Sequence, residues 1–322
     1  MNNLITRAIT GVLFVAVMVT GICLRGDAMI LLFALITGLT IWEFCGLVNN
    51  WDGQSHQHPS LTSLGEIEGD SSSPSPLEAL REMPAPIAVN RFIATAAGVY
   101  FFLSVAGFCT GIVSSAAFIP YLLTIIYLFI SELYLKQKNP IQDWAYTMLS
   151  QMYIALPFSM INVLSFQADP LTDEVGYHWL LPMSVFIFLW TNDTGAYCTG
   201  SLLGRHKLFP RVSPGKSWEG SIGGAVLVLI VAAVIAHYSN SGSELSTINY
   251  HLSTLQFLGL GLVVVVFGTW GDLVESLFKR TLGVKDSGNI LPGHGGMLDR
   301  FDSALMAIPA SVVYLYTLQY LG

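Results

Sequence analysis

Charge is scarce in this chain. Only 11% of its 322 residues are charged and 53% are hydrophobic, whereas about a quarter of the residues of a soluble domain are charged. With a mean hydropathy of +0.59, a water-soluble globular fold is excluded and an integral membrane protein is expected. A basic excess is also missing. The net charge of −7 argues against a nucleic-acid partner, which would need a basic face to neutralise phosphates. Cysteine is sparse. Cys23, Cys45, Cys109 and Cys198 all fall within apolar runs and lack metal-ligand spacing, so no disulfide framework is implied. The long apolar segments show no strict alternation, which excludes a transmembrane barrel and makes the spans helical.

What is present is a series of apolar runs, at residues 8–24, 28–48, 92–112, 114–132, 144–166, 178–199, 218–238, 255–278 and 303–321. They predict nine transmembrane helices in a polytopic all-α protein. The first run follows only Arg7 and has no small-residue cleavage site, so it reads as a retained span. Placing the N-terminus in the cytoplasm leaves only Arg25 of the 14 basic residues outside, in keeping with the positive-inside rule. The C-terminus then faces outward. Residues 51–90 hold seven serines, five prolines and six acidic residues, which predicts a mostly disordered cytoplasmic insert with a short helix near 76–83. The outward loops 167–177 and 239–254 read as simple connectors. A single membrane-embedded catalytic domain over 1–322 is expected, with its chemistry concentrated in 190–302.

Ionisable groups at membrane depth are costly and usually face a cavity or a partner. Glu43, Asp193, Glu219, Asp272 and Glu275 are such groups. Asp272, Glu275, Ser276 and Lys279 recur at helical spacing, which puts them on one face; a purely structural ion pair between helices is the competing explanation. Asp193 lies in the polar segment Trp190–Tyr197, which predicts a discontinuous helix lining a cavity. Farther on, Ser213-Pro214 reads as a helix start. Ser213 would cap that helix, and its free N–H groups with Lys216 would hold an anion, phosphate being the obvious one. Glu219 is either a site residue or the partner of a nearby lysine. Gly220 and Gly224 have the spacing of a helix-packing motif.

The stretch Glu275–Asp302 gathers four of the 14 basic residues and five glycines. Lys279, Arg280, Lys285 and Arg300 suit a polyphosphate, and Gly293-His294-Gly295-Gly296 lets backbone approach a ligand. Asp299 and Asp302 would share one face at the start of the last helix. Carboxylates among phosphate-binding cations point to a hard divalent metal such as Mg²⁺, completed by substrate phosphates.

The run from Ser276 through Phe278-Lys279-Arg280, Lys285-Asp286, Gly288, Leu291-Pro292, His294-Gly295-Gly296-Met297 and Asp299-Arg300-Phe301-Asp302 resembles the signature of the phosphatidate cytidylyltransferases, also called CDP-diacylglycerol synthases. Asp193–Tyr197, Ser213–Gly220 and Arg7–Gly11 are similar to other segments of that family. Gly215, Ser217 and the long 51–90 insert are where the chain departs from the family pattern.

The resemblance implies transfer of a cytidylyl group from CTP to phosphatidate with release of pyrophosphate. It also implies a two-metal Mg²⁺ site on Asp272 and Asp299, often with a monovalent cation, and a homodimer. Asp272, Asp299, Lys279, Lys285 and Arg300 are then expected to be catalytic, with Asp302 joining the metal set. Asp193, Ser213, Lys216, Ser217, Glu219, Ser276, Arg280, Asp286, His294, Gly295 and Gly296 are expected to bind substrate. The expected location is the cell inner membrane, with the site on the cytoplasmic side. A membrane polyprenol or phytol kinase is the alternative enzyme. An ion-coupled transporter of an anionic substrate is the alternative of another class, disfavoured by the one-sided cations and the lack of a visible internal repeat.

Overall fold

The computed structural model describes residues 3–51, 89–135, 140–168, 172, 174–240, 252–288, 290 and 295–321. The predicted disorder and short helix of the 51–90 insert therefore lie outside the described residues, apart from its ends. The helices are α1 (Asn3–Leu24), α2 (Gly26–Trp51), α3 (Arg91–Cys109), α4 (Ile119–Leu135), α5 (Pro140–Ser165), α6 (Leu180–Leu203), α7 (Trp218–Asn240), α8 (Thr254–Thr281) and α9 (Leu298–Leu321). Among the described residues, seven helical segments are long and apolar enough to cross a membrane, and they fall in α2, α3, α4, α5, α7, α8 and α9. In α1 the apolar segment is shorter, Ile9–Leu24. Polar residues at Thr191–Thr194 interrupt the apolar run of α6. The protein is thus a predominantly helical membrane protein.

Two features depart from the all-helical expectation. The connector after α5 is not plain: β1 (Phe166–Ala168) pairs antiparallel with β2 (Val175–Tyr177). A second hairpin, β3 (Lys207–Phe209) with β4 (Ser213–Ser217), precedes α7. Ser213-Pro214 therefore lies in a strand and starts no helix. The helix begins at Trp218, and Ser217 caps it, its Oγ accepting from the Gly220 N–H at 3.2 Å. Proline is tolerated here because an edge strand of a two-stranded pair needs few ladder donors.

The expected break in α6 is also absent. The helix runs unbroken through Asp193, and the Thr194 and Thr199 hydroxyls donate to the Trp190 and Gly195 carbonyls one turn back. Those threonines bond within the helix without replacing its ladder. The irregular helix is α5, which carries a π-helical turn at Gln151–Ala155, followed by Pro157.

Close helix packing fixes the site's walls. A Cβ on Gly195 would lie 2.9 Å from the Gly224 Cα, and one on Gly220 would lie 2.8 Å from the Ala196 carbonyl oxygen, so the glycine spacing serves the approach of α6 to α7. At Gly271 a Cβ would come within 2.5 Å of the Asp302 carbonyl oxygen, which brings α8 onto the first turn of α9. Phe301 is buried at the centre of an aromatic cluster, with ring centroids 5.7 Å from Phe14, 6.5 Å from Phe33, 5.5 Å from Phe158 and 6.3 Å from Phe186. Rings from α1, α2, α5 and α6 thus hold the residue that sits between Arg300 and Asp302. Each such edge contact contributes about 0.5–1.5 kcal/mol. Across the insert, Asn49 accepts from the Val89 N–H and donates to its carbonyl, both at 2.9 Å, which ties the insert's ends together.

Candidate active site

The wet face read on α8 exists. The Ser276 hydroxyl donates to Asp272 Oδ1 at 3.2 Å, and Lys279 pairs with Glu275 at 2.6 Å one turn on. Asp272 and Lys279 open onto a recess of about 360 Å³ that Asp193, Asp286, Asp299, Arg300 and Asp302 also line. Its apolar walls include Phe186, Leu189 and Trp190 of α6. Three of the segments singled out in sequence therefore converge, because α6 and α9 flank α8. The β3–β4 hairpin supplies a fourth: Lys216 Nζ lies 2.6 Å from Asp272 Oδ2.

The cations divide into two kinds. Lys279 is clasped between Glu275, fully buried, and Asp299 Oδ1, at 2.6 and 2.7 Å, so its charge is matched inside the protein. Lys216 and Asp272 are each about a quarter to a third exposed, at 27% and 30%, and their pair is open to exchange with a ligand. Arg300 lines the recess and is exposed, while Arg280 and Lys285 are exposed outside its lining.

The carboxylates divide likewise. Asp299 is held at both oxygens, Oδ1 by Lys279 and Oδ2 by the Ser287 and Gly296 N–H groups, each at 2.8 Å. Asp302 accepts only from the Ser303 N–H, at 2.5 Å, and Asp193 makes no hydrogen bond or ion pair among the described residues. Asp193, Asp272 and Asp302 line one recess, where like charges repel. Among the described residues no three His, Cys, Asp or Glu side chains form a ready-made metal cage. Mg²⁺ does not require one, since one or two carboxylates plus substrate phosphates complete its octahedron. Asp302 Oδ2 and the Asp193 carboxylate, which line the same recess as Asp272, are hard donors of the right kind. Asp299 could join only by exchanging the ammonium on its Oδ1 for a metal ion.

Other expected site residues lie elsewhere. Glu219 accepts from the Arg205 and His206 N–H groups at 3.2 Å and lies 2.6 Å from His206 Nδ1, so it braces the start of the hairpin and, among the described residues, pairs with no lysine. Ser213 is in β4, Ser217 caps α7, and His294 is outside the described residues. Gly295 has φ +83, a left-handed conformation that suits glycine, and with Gly296 it leads the chain into α9 beside Asp299.

Glu43 was legible only as an intramembrane carboxylate. In the structure it reaches from α2 to the signature loop, where its carboxylate accepts from the Met297 N–H at 2.9 Å, the Leu298 N–H at 3.1 Å and the Ser287 hydroxyl. It is thus the N-cap of α9, supplied by a residue about 250 positions earlier, and it binds both limbs of the loop that presents Asp299. The available signal was that α2 contains no basic residue to partner it.

These features define a helical membrane protein with a carboxylate-rich recess that Arg300 lines and Lys216 borders. The Cytidylyltransferase family model matches residues 78–318, and the chain belongs to that family. It is similar to the phosphatidate cytidylyltransferase of Haemophilus influenzae, 40% identical over 180 residues, covering 54% of this chain and 60% of the relative. Proteins of the same name from Staphylococcus aureus and Staphylococcus haemolyticus are 39% and 41% identical over 174 residues, again covering 54% of this chain and 60% of each relative. The chain's match thus spans about 60% of the length of the curated relatives.

Proposed function

We propose that the protein transfers the cytidylyl group of CTP to phosphatidate, giving CDP-diacylglycerol and pyrophosphate. The observation that carries this reading is the recess in which Asp193, Asp272 and Asp302 face Arg300, with Lys216 closing over Asp272. The printed names of the relatives support the substrates. Phosphatidate's phosphate is largely a dianion at neutral pH, given a second pKa of about 6. Its oxygen can attack the α-phosphorus of CTP without a general base, forming one P–O bond as the bond to the β-phosphate bridge breaks. What opposes reaction is repulsion between two anions, and the site's task is to hold them in line.

Lys216, released from Asp272, and Arg300 would neutralise the CTP phosphates. Lys285 and Arg280 would attract the nucleotide from the surface. Ser276 orients Asp272, and Lys279 with Glu43 keeps Asp299 and the start of α9 in place. Mg²⁺ held by Asp272 and Asp302, with Asp193 beside them and Asp299 after loss of its ammonium partner, would supply charge neutralisation at the α-phosphate and the leaving pyrophosphate. This reading includes nine membrane spans, with α1 and α6 added to the seven, a cytoplasmic N-terminus and site, a homodimer, and an inner-membrane location. The basic residues supporting that orientation are concentrated on one side in the span order.

The test is pyrophosphate release by purified protein with Mg²⁺. It should require CTP and phosphatidate together and should fall to background in Asp272→Asn. Release without phosphatidate, or undiminished release by Asp272→Asn, would overturn the reading.

A further inference from the structure

A cavity of about 600 Å³ lies between α5, α8 and α9, lined almost wholly by apolar side chains including Leu156, Phe267, Met306, Pro309 and Ala310. Along α9 its lining begins at Leu305, directly after Ala304 of the carboxylate recess. On α9, Asp302, Leu305, Met306, Pro309 and Val313 follow one another at helical spacing, so the face that begins in the recess continues as the wall of this groove. Pro309 within α9 removes a ladder hydrogen bond at the groove's middle.

Tyr153 lines the α5 side of the groove with a ring that ends in a hydroxyl. That hydroxyl is buried and makes no hydrogen bond among the described residues. A buried hydroxyl without a partner is costly, and the few that occur need a reason. Tyr153 is carried by the π-helical turn Gln151–Ala155, a distortion that also has a cost and recurs at functional sites. Ordinary contact with membrane lipid requires neither feature.

We propose that this groove is the acyl-chain site of the phosphatidate substrate, and that the Tyr153 hydroxyl hydrogen-bonds an oxygen at the chain's ester end, where the lipid passes from groove to recess. The apolar lining suits a hydrocarbon tail, and the recess that precedes it along α9 suits its anionic head. The proposal rests on the transferase reading for the identity of the lipid. It adds a specificity-determining surface on α5, α8 and α9, with Ala310 and Met306 limiting how a chain fits.

The experiment reads binding without CTP, so its outcome is separate from that of the pyrophosphate assay. The full chain in phosphatidylcholine nanodiscs is photolabelled with phosphatidate carrying a diazirine on one acyl chain, and the labelled residues are mapped by mass spectrometry. Label is expected on residues 152–157, 263–267 and 305–313. Unlabelled phosphatidate should compete roughly tenfold better than phosphatidylcholine, and Ala310→Phe, which fills the groove, should cut labelling about tenfold. Tyr153→Phe removes only the hydroxyl and should weaken competition by phosphatidate roughly threefold to tenfold, the loss of a hydrogen bond. Equal competition by the two lipids would make the groove an ordinary lipid contact. Label at interfaces between copies of the chain, or labelling that neither substitution changes, would equally overturn the proposal.

Discussion

Glu43→Ala is the perturbation that most directly tests how the site is held together. Its carboxylate serves three donors, the Met297 and Leu298 N–H groups and the Ser287 hydroxyl, and it is buried. Truncation removes the N-cap of α9, at about 1 kcal/mol. It also leaves buried donors without an acceptor, at about 1–3 kcal/mol each where water cannot replace the carboxylate. Allowing for partial relaxation, a loss of roughly 3 kcal/mol in local stability is expected, about a hundredfold in the opening equilibrium of the loop and first turn of α9. Hydrogen exchange of the amides of residues 285–301 should accelerate by about that factor while α3 and α4 are unaffected. Turnover should fall with it, since Asp299 is anchored through Ser287. Glu43→Gln, which keeps one acceptor oxygen and turns an N–H₂ toward a donor, should fall between. Unchanged exchange with near-normal turnover in Glu43→Ala would refute the clamp.

The two lysines should part company. Lys279→Met strands Glu275 and Asp299, which are 0% and 6% exposed, and should destabilise the protein by about 3–5 kcal/mol in thermal unfolding in detergent. Lys216→Met breaks a partly exposed pair, so it should cost no more than about 1 kcal/mol of stability while greatly reducing turnover. Gly295→Ala places a side chain at φ +83 with its Cβ 2.5 Å from Asp299 Oδ2 and should lower both stability and turnover, whereas Gly215→Ala, with nothing within 4 Å, should be neutral in the same assays. Gly224→Ala, whose Cβ would meet the Asn192 carbonyl oxygen at 2.8 Å, should force α6 and α7 apart and lower the melting temperature.

The sequence made the local features readable. Apolar runs located the helices, and the spacing of Asp272, Glu275, Ser276 and Lys279 gave the wet face of α8, because both depend on residues within a few turns of one another. What escaped depends on distant partners. Glu43 contacts a loop about 250 residues away, and no local pattern names its donors. Ser213-Pro214 has the composition of a helix start, yet pairing with Lys207–Phe209 makes it a strand and passes the cap to Ser217. Polar residues at 191–194 suggested a broken α6, whereas that helix is continuous and the irregularity is a π-helical turn in α5 at 151–155, within a run that reads as ordinary apolar helix. The contrast between Asp299, held at both oxygens, and Asp193 and Asp302, which together have one hydrogen bond among the described residues, also needed coordinates, since all three look alike in sequence.

The central claim is that the recess moves a cytidylyl group onto a lipid. It is tested most directly by following two forms of radiolabelled CTP, one labelled at the α-phosphate and one at the γ-phosphate, with phosphatidate and Mg²⁺. The account predicts that α-label passes into the lipid extract and γ-label leaves as pyrophosphate. Appearance of γ-label in the lipid, with α-label left in the aqueous nucleotide, would identify a kinase and contradict it.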